Sequence, residues 1–540
     1  MSLPHIKQRS GTATLCSGVA LCLTAFALFL HVRVLLNAGG LWRDEANSAQ
    51  FALMPSFSTV LGSLRYDSYP VGSTAFFRCW TLLTTSDQGF RTAGFVVGLG
   101  IASALWWNSR TLRLGVPLLS LVLLAANPVA VRYGDSVRPY GLGVLFTLIA
   151  FGFFARLIDN VSAPNIIGAA GSAILCVQCL YQTSILIAAF SVAGAVVAVR
   201  GKMYRTACWI VAAGALAALS LLPYLGDIRA AGDWAMLARM PVAWEALGKV
   251  AAAAFGAQAG FMVYIWCGLC VIGVGVGVVF TRASAPGTRK QKDLIAFAGL
   301  SLILAGAGFA AFIHSIDLPT QTWYYLPVMA PCAVCLDILF SPVIRKPAFN
   351  LALAALAVFV VIATASQVWE DVRVRATNID LVASALTGKA GRNDLIILSP
   401  WFMGVGFHRA YHGETPWMSL PPLDDLSIHR FDLVKSAMAT DDPMQPLLQA
   451  VGRTLSSGNR VWIIGWFATP AAGQAPPPLP RAPNGPMGWN FVDYNNAWIL
   501  QLGSYVRAHS SSASSVSVQS PNPVNPLENL PLLRVSGWRP

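Results

Sequence analysis

Stretches of about twenty residues with at most one charged side chain recur along this sequence, and that repetition constrains the fold more than any other feature. A helix rises 1.5 Å per residue, so roughly 20 apolar residues cover the hydrocarbon core of a bilayer. The windows fall at 11–30, 91–110, 113–132 and 138–156, twice between Asp159 and Arg200, and at 206–226, 259–281, 294–315, 322–341 and 348–369. They predict eleven transmembrane helices, after which the pattern stops. The first window is too long for the apolar region of a cleavable signal and has no small-residue cleavage site ahead of Arg33, so it reads as a span. With 55% hydrophobic and only 11% charged residues and a mean hydropathy of +0.58, a water-soluble fold is excluded, since soluble domains carry about a quarter charged residues.

Orientation follows from the placement of Lys and Arg, because cationic loops resist translocation. Fourteen basic residues share one side: Lys7, Arg9, Arg110, Arg113, Arg156, Arg200, Lys202, Arg205, Arg282, Arg289, Lys290, Lys292, Arg345 and Lys346. That side is expected to be the cytoplasm, with the N-terminus on it. An odd number of spans then puts residues 370–540 on the extracytoplasmic side. The formal charge of +13 is thus a topology signal, and no clustered basic face suggests nucleic acid. The run 70–83 is interrupted by Arg78, and counting it as a span would move every later basic loop outside. It reads as an amphipathic helix within the outer loop 37–91.

The cysteine pairs Cys176/Cys179, Cys267/Cys270 and Cys332/Cys335 have metal-like spacing but sit in apolar windows without companion ligands, so they read as packing residues. Beyond 369 the pattern changes. A helix-like 376–388 precedes the apolar run 395–398, and a second helix-like 443–457 precedes 460–466, which predicts a small α/β domain. The Pro/Ala/Gly-rich 468–488 and Ser/Pro/Asn-rich 509–525 read as loops. No phosphate-binding loop or dinucleotide fingerprint follows any strand.

Ionisable groups beside apolar spans carry most of the functional information in such a chain, because they cost free energy unless something pairs or uses them. Here they gather at the outer ends. Leu41-Trp42-Arg43-Asp44-Glu45-Ala46 follows the first span and its Gly39-Gly40 break; Arg65-Tyr66-Asp67-Ser68-Tyr69-Pro70 continues the same loop; Arg132-Tyr133-Gly134-Asp135-Ser136-Val137-Arg138-Pro139-Tyr140 forms the next. Adjacent carboxylates at the water boundary can serve as a base, a metal ligand or an interfacial anchor. The aromatic belt of a membrane protein accounts for most of the Trp and Tyr residues. Pro139 suits the first turn of a helix and would hold its neighbours at a defined span entrance.

In this order the three segments resemble the GT-C superfamily of polytopic membrane glycosyltransferases, the class of protein O-mannosyltransferases and lipid A aminoarabinose transferases. An Asp-Glu pair in the first outer loop (Asp44-Glu45), an Asp-x-His-Pro-Pro-like start to a juxtamembrane helix (Asp67 to Pro70) and a Glu-x-Arg-Pro-Tyr-like turn (Arg138-Pro139-Tyr140) carry the likeness across roughly 10–370. Tyr69 replaces the usual His, Val71 the second Pro, and Ser136 the acid two before Arg138, with Asp135 one further back. Trp323-Tyr324-Tyr325-Leu326-Pro327 lacks the Arg of the late motif.

The resemblance implies an α-helical polytopic membrane protein, a GT-C-like domain over 1–369 followed by an extracytoplasmic α/β domain over 370–540. It implies inverting transfer of a sugar from a polyprenyl-phosphate sugar donor to a glycan, lipid or protein acceptor at the outer face of the cytoplasmic membrane. Asp44 would take the acceptor proton. Glu45, Arg65, Asp67, Asp135, Arg138 and Tyr140 would bind substrates, with Arg138 on the phosphate. No stored cofactor is required; a divalent metal ion at Asp44 stays open. The membrane bilayer is a partner and nucleic acid is not. A transporter would show broken helices meeting at the midplane, and a non-catalytic scaffold could share the fold.

Overall fold

The computed structural model describes residues 11–540 except 241, 257–259, 283–287, 345, 472 and 484–487. Lys7, Arg9 and Arg345 therefore lie outside the described residues. Among the described residues, nine helices are long and apolar enough to cross a membrane: Thr14–Asn37, Asp87–Thr111, Pro139–Asp159, Thr183–Arg200, Tyr204–Ala238, Phe261–Arg282, Arg289–Ser315, Thr322–Phe340 and Pro347–Asp371. A tenth expected window corresponds to the shorter apolar helix Ala163–Cys179.

The eleventh window, 113–132, is not one helix. It is two short ones, Leu118–Leu124 and Pro128–Gly134, parted at Asn127. Pro128 has no N–H to continue the first helix, and the Asn127 side chain caps the second by accepting from Ala130 N at 2.9 Å. Broken backbone is tolerated at membrane depth only where protein surrounds it. Every residue of Leu118–Leu124 is buried, and its first N–H groups are met from a distant span. Asp337 accepts from Leu119 N at 2.9 Å, Ser120 N at 3.3 Å and Ser120 Oγ at 2.6 Å.

Several of the basic loops meet one another at one end of the bundle. Lys290 Nζ lies 2.7 Å from Asp159 Oδ1, and Arg289 donates to the Gly201 carbonyl. At the opposite end lie the juxtamembrane helices Arg43–Leu53, Phe57–Ser63 and Val71–Trp80. The last of these begins after Pro70 and fills the run 70–83. Its Arg78 donates to the carbonyls of Ala52 and Met54 at 3.1 and 2.6 Å, so the charge that interrupts the apolar run fastens the end of Arg43–Leu53.

Beyond the last span lie five strands: β1 Leu395–Ser399, β2 Trp417–Ser419, β3 Val461–Gly465, β4 Ser510–Val516 and β5 Leu532–Trp538, in the order β2-β1-β3-β5-β4. β1 runs parallel to β2 and β3, whereas β5 is antiparallel to β3 and β4. All residues of β1 and β3 are buried, as expected for apolar runs covered on both faces. Helices Ile379–Thr387 and Gln445–Ser456 precede them as expected. One reading is corrected: 509–525 is not simply a loop, because Ser510–Val516 pairs along β5 from Ser510↔Trp538 to Val516↔Leu532. The pairing is a backbone ladder at the sheet edge. Serine side chains left mostly in solvent suit an edge strand but carry no apolar alternation to read.

This sheet domain is tied to the outer loops. Ala376 N donates to Ala38 O at 2.7 Å, and Arg409 Nε lies 2.5 Å from Asp87 Oδ1. Val405 is buried with Leu41, Ala46 and Ala49. Gly39 has φ +66°, a left-handed conformation that side chains rarely adopt, and the Arg375 guanidinium occupies the place a Cβ would take.

Candidate functional site

A cavity of about 970 Å³ lies between the loops around 42–69 and 132–140 and the sheet domain. Its geometry starts at the Gly39-Gly40 break. The chain turns there and presents two carbonyls to Arg91, whose Nε donates to Gly39 O at 3.4 Å and Nη2 to Gly40 O at 2.8 Å. Arg91 Nη1 also meets Glu45 Oε1 at 2.5 Å. Glu45 Oε1 accepts from Val137 N at 3.0 Å as well, and its Oε2 from Trp42 N at 3.4 Å. The Glu45 carboxylate, 1% exposed, thus joins the first outer loop to the second. Helix Arg43–Leu53 is fixed by that junction, and Asp44 is fixed with it.

Asp44 lines the cavity with a side chain 26% exposed. Burial pushes its carboxyl up, but Arg138, Arg43 and His429 outweigh burial and hold it below its ordinary range. It is ionised at neutral pH. Arg138 sits just ahead of Pro139, which opens helix Pro139–Asp159. Its Nη1 donates to Asp44 O and Ser48 Oγ, both at 3.0 Å, and its Nη2 to Tyr69 OH at 2.9 Å. Nε is buried with no hydrogen-bond partner among the described residues. Burial works against this cation, yet Tyr69, Asp44 and Asp67 keep its pKa raised.

Tyr69, where the family pattern has His, shares a 2.5 Å hydrogen bond with Tyr140 OH. Its ring also lies 4.7 Å from the Arg138 guanidinium carbon. Asp67 lines the same wall. Burial raises its pKa against the pull of Arg138 and the Ser68 N–H, with Asp44 adding to the rise. Aromatic rings complete this side: Trp323 packs 5.7 Å from Trp42 and 4.6 Å from Tyr133, and Tyr324 stacks 5.9 Å from Tyr140.

Asp44, Glu45, Asp67, Arg138 and Tyr140 all line the cavity; Asp135 and Arg65 do not. Asp135 pairs with His31 of the first span, Nδ1 to Oδ1 at 2.8 Å, rather than with Arg138. The helix Asp87–Thr111 approaches it closely enough that a side chain at Gly94 or Gly98 would collide with Asp135. Arg65 is exposed; its carbonyl accepts from Trp234 Nε1 at 2.9 Å, and its guanidinium lies 5.3 Å over the Tyr66 ring.

Five polar residues from the sheet domain also line the cavity, His429, Asn495, Asn496, Asn525 and Glu528, and sequence reasoning singled out none of them. His429 is buried, and its N–H donates to Asn47 Oδ1 at 2.8 Å, one helical turn from Asp44. Burial lowers its imidazole to about 4, despite the opposing pull of Asp44. Burial raises Glu528 to about 7, against the effect of Arg43, whose Nε is 3.5 Å away. Asn495, on helix Phe491–His509, is 2% exposed. These residues lie hundreds of positions from Asp44 in loops or helices without a motif. The adjacent amides Asn495 and Asn496 within an otherwise ordinary helix are the one signal available.

Among the described residues no three His, Cys, Asp or Glu side chains converge as a metal-ligand set. The protein donors around Asp44 do not by themselves match a resident divalent ion, which needs more oxygen ligands than one or two carboxylates.

No protein-family model matches this sequence, and no curated protein does. In three dimensions the chain is similar to the crystal structure of ArnT from Cupriavidus metallidurans bound to undecaprenyl phosphate. The TM-score is 0.52 and the sequence identity 12%, with 96% of this chain and 98% of that chain covered. Across nearly its whole length, membrane helices and sheet domain together, this chain shares the fold of that structure.

Proposed function

We propose that this chain is a glycosyltransferase that moves a sugar from a polyprenyl-phosphate donor to an acceptor hydroxyl at the outer face of the cytoplasmic membrane. One observation carries the reading: an ionised carboxylate, Asp44, and a buried guanidinium with an unpartnered N–H, Arg138, share one wall of a large cavity. The undecaprenyl phosphate bound to the ArnT structure supports a lipid phosphate as the ligand class. Asp44 takes the proton of the acceptor hydroxyl as its oxygen bonds to the anomeric carbon from the face opposite the phosphate. The bond from that carbon to the phosphate oxygen breaks, its electron pair leaves with the polyprenyl phosphate, and configuration inverts.

Arg138 meets the growing charge on the leaving phosphate. Its planar fork suits phosphate oxygens, and guanidinium is less costly to desolvate than ammonium. The Asp44 carbonyl, Ser48 Oγ and Tyr69 OH hold that fork, Tyr140 hydrogen-bonds Tyr69 in turn, and the rings of Trp323 and Tyr324 flank the donor. Glu45 acts through Arg91 and Val137 as a positioning residue.

In the same reading residues 1–369 form the membrane domain, the N-terminus is cytoplasmic and 370–540 is extracytoplasmic, supported by the basic-loop asymmetry. Alkaline phosphatase fused after residue 400 should be active and after 290 inactive; the reverse pattern overturns the orientation and with it the site. The activity itself is tested with purified full-length protein and a panel of radiolabelled polyprenyl-phosphate sugars. Transfer releases free polyprenyl phosphate. A protein that binds undecaprenyl phosphate yet releases none from any donor is a scaffold on this fold.

A further inference from the structure

The two sides of the cavity differ in charge. Arg43, Arg91, Arg132 and Arg138 line it, and all four come from the outer loops of the membrane part. Among the described residues after 371, none that lines the cavity is Lys or Arg. Arg430, next to His429, does not line the cavity and its charge is met by two carboxylates: Nη1 lies 2.6 Å from Asp425 and Nη2 2.8 Å from Asp432, with the guanidinium 4.5 Å over the Tyr66 ring.

That second wall nonetheless carries polar atoms in need of partners. His429 Nε2 and Asn495 Oδ1 are buried with no hydrogen-bond partner among the described residues. The Phe402 backbone near the His429 ring favours a proton on the ring; with Nε2 unpartnered, that proton is assigned to Nδ1, which leaves Nε2 a lone pair. Both orphan atoms are hydrogen-bond acceptors, and each is costly to bury unmet. Phe402 and Trp466, edge to face at 5.9 Å, line the same cavity, with Trp466 41% exposed.

Arg43 reaches this wall but is already engaged, its Nε 3.5 Å from Glu528 and 3.6 Å from Asp44 and its guanidinium 4.6 Å over the Phe402 ring; hydrogen-bond acceptors beside the exposed Trp466 ring, with no uncommitted cation, suit a pyranose ring. Its hydroxyls donate, its C–H face stacks, and it brings no charge. A phosphate on this wall would have to compete with the Glu528 and Asp44 carboxyls for Arg43 and would face Glu528 itself. Taking the opposite wall as the donor site proposed above, we infer that the sheet domain forms the acceptor subsite, that it takes an uncharged glycan, and that His429 Nε2 and Asn495 Oδ1 accept its hydroxyl hydrogens. The Asn47 side chain, gripping the His429 backbone one turn from Asp44, sets the distance between the bound glycan and the base.

Saturation-transfer NMR on the full-length protein in lipid nanodiscs tests this with uncharged trisaccharides (maltotriose, cellotriose, mannotriose) as probes, and with diphosphorylated lipid A and undecaprenyl phosphate as the anionic ones. At least one trisaccharide should bind. Asn495→Ala and His429→Phe, the latter keeping a ring among Trp401 and Phe431 while removing the lone pair, should each weaken it about tenfold or more. Undecaprenyl phosphate binding should be unchanged in both, which also reports that they fold. The inference is overturned if no trisaccharide binds, if neither variant weakens binding, or if lipid A binds in a manner that these variants abolish. Loss of undecaprenyl phosphate binding in the unmodified protein would instead remove the donor reading, leaving the glycan result to stand or fall by itself.

Discussion

The membrane-side wall of the cavity and the sheet-domain wall are built on opposite electrostatic plans. The first sets four arginines against the carboxylates Asp44, Glu45, Asp67, Asp227 and Asp371, and its pKa shifts are pulled by neighbouring charge as well as by burial. The second offers neutral acceptors and rings, and burial dominates its titration, lowering His429 and raising Glu528. In the proposed reading one wall receives a departing anion and the other holds something without charge. Asp44 stands where the two meet, close to Arg138 on one side and His429 on the other.

If that division is right, the largest effect comes from the meeting point. Asp44→Asn keeps the shape and removes the proton acceptor, and should lower turnover by about 10²–10⁴ at equal protein level. Near-normal turnover would break the comparison at its centre. The neighbouring carboxylate should behave differently. Glu45→Ala leaves Arg91 buried without its partner, a loss of roughly 3–5 kcal/mol in stability, seen as a lowered Tm in detergent. A Glu45→Ala protein of ordinary stability would show that Glu45 is free for substrate after all.

Arg138→Lys sharpens the account of the membrane-side wall. The charge stays, the fork goes, and undecaprenyl phosphate should bind about ten- to a hundredfold more weakly, the range for one or two charge-assisted hydrogen bonds. Trisaccharide binding should not change. The smallest effect belongs to Glu528. Its folded pKa of about 7 exceeds its ordinary 4.5, so its contribution to stability is fully present below pH 4.5 and is lost as pH rises through 7. Tm should fall between pH 5 and 8, and Glu528→Gln should flatten that slope. A slope that survives the substitution assigns it to another group.

The sequence made one of these walls readable and left the other silent. Charges at the ends of apolar windows are conspicuous because a bilayer tolerates them only with a purpose, so Asp44, Asp67 and Arg138 stood out. Which of them met was hidden. Asp135 sits three residues from Arg138 yet is taken by His31, a hundred positions away. His429, Asn495 and Glu528 gave no comparable signal, since polar residues in a water-exposed domain are ordinary until the fold buries them. The same asymmetry marks the fold itself. Hydropathy locates eleven apolar windows but cannot show that Pro128 cuts the third, and a serine run betrays no strand because its partner β5 supplies the core residues Leu532 and Val535.

That cut helix has a consequence in time. The segment Leu118–Leu124 is held by a carboxylate 218 residues further along, and at about 5–20 residues per second of synthesis Asp337 leaves the ribosome roughly 10–40 s after Leu119. Until then the exposed N–H groups of the half-helix have no partner in the finished arrangement, and lipid offers none. The hydrophobic segment that looks in the sequence like an early, independent insertion step must instead wait for the second half of its own chain, which makes the order of assembly a property of one aspartate.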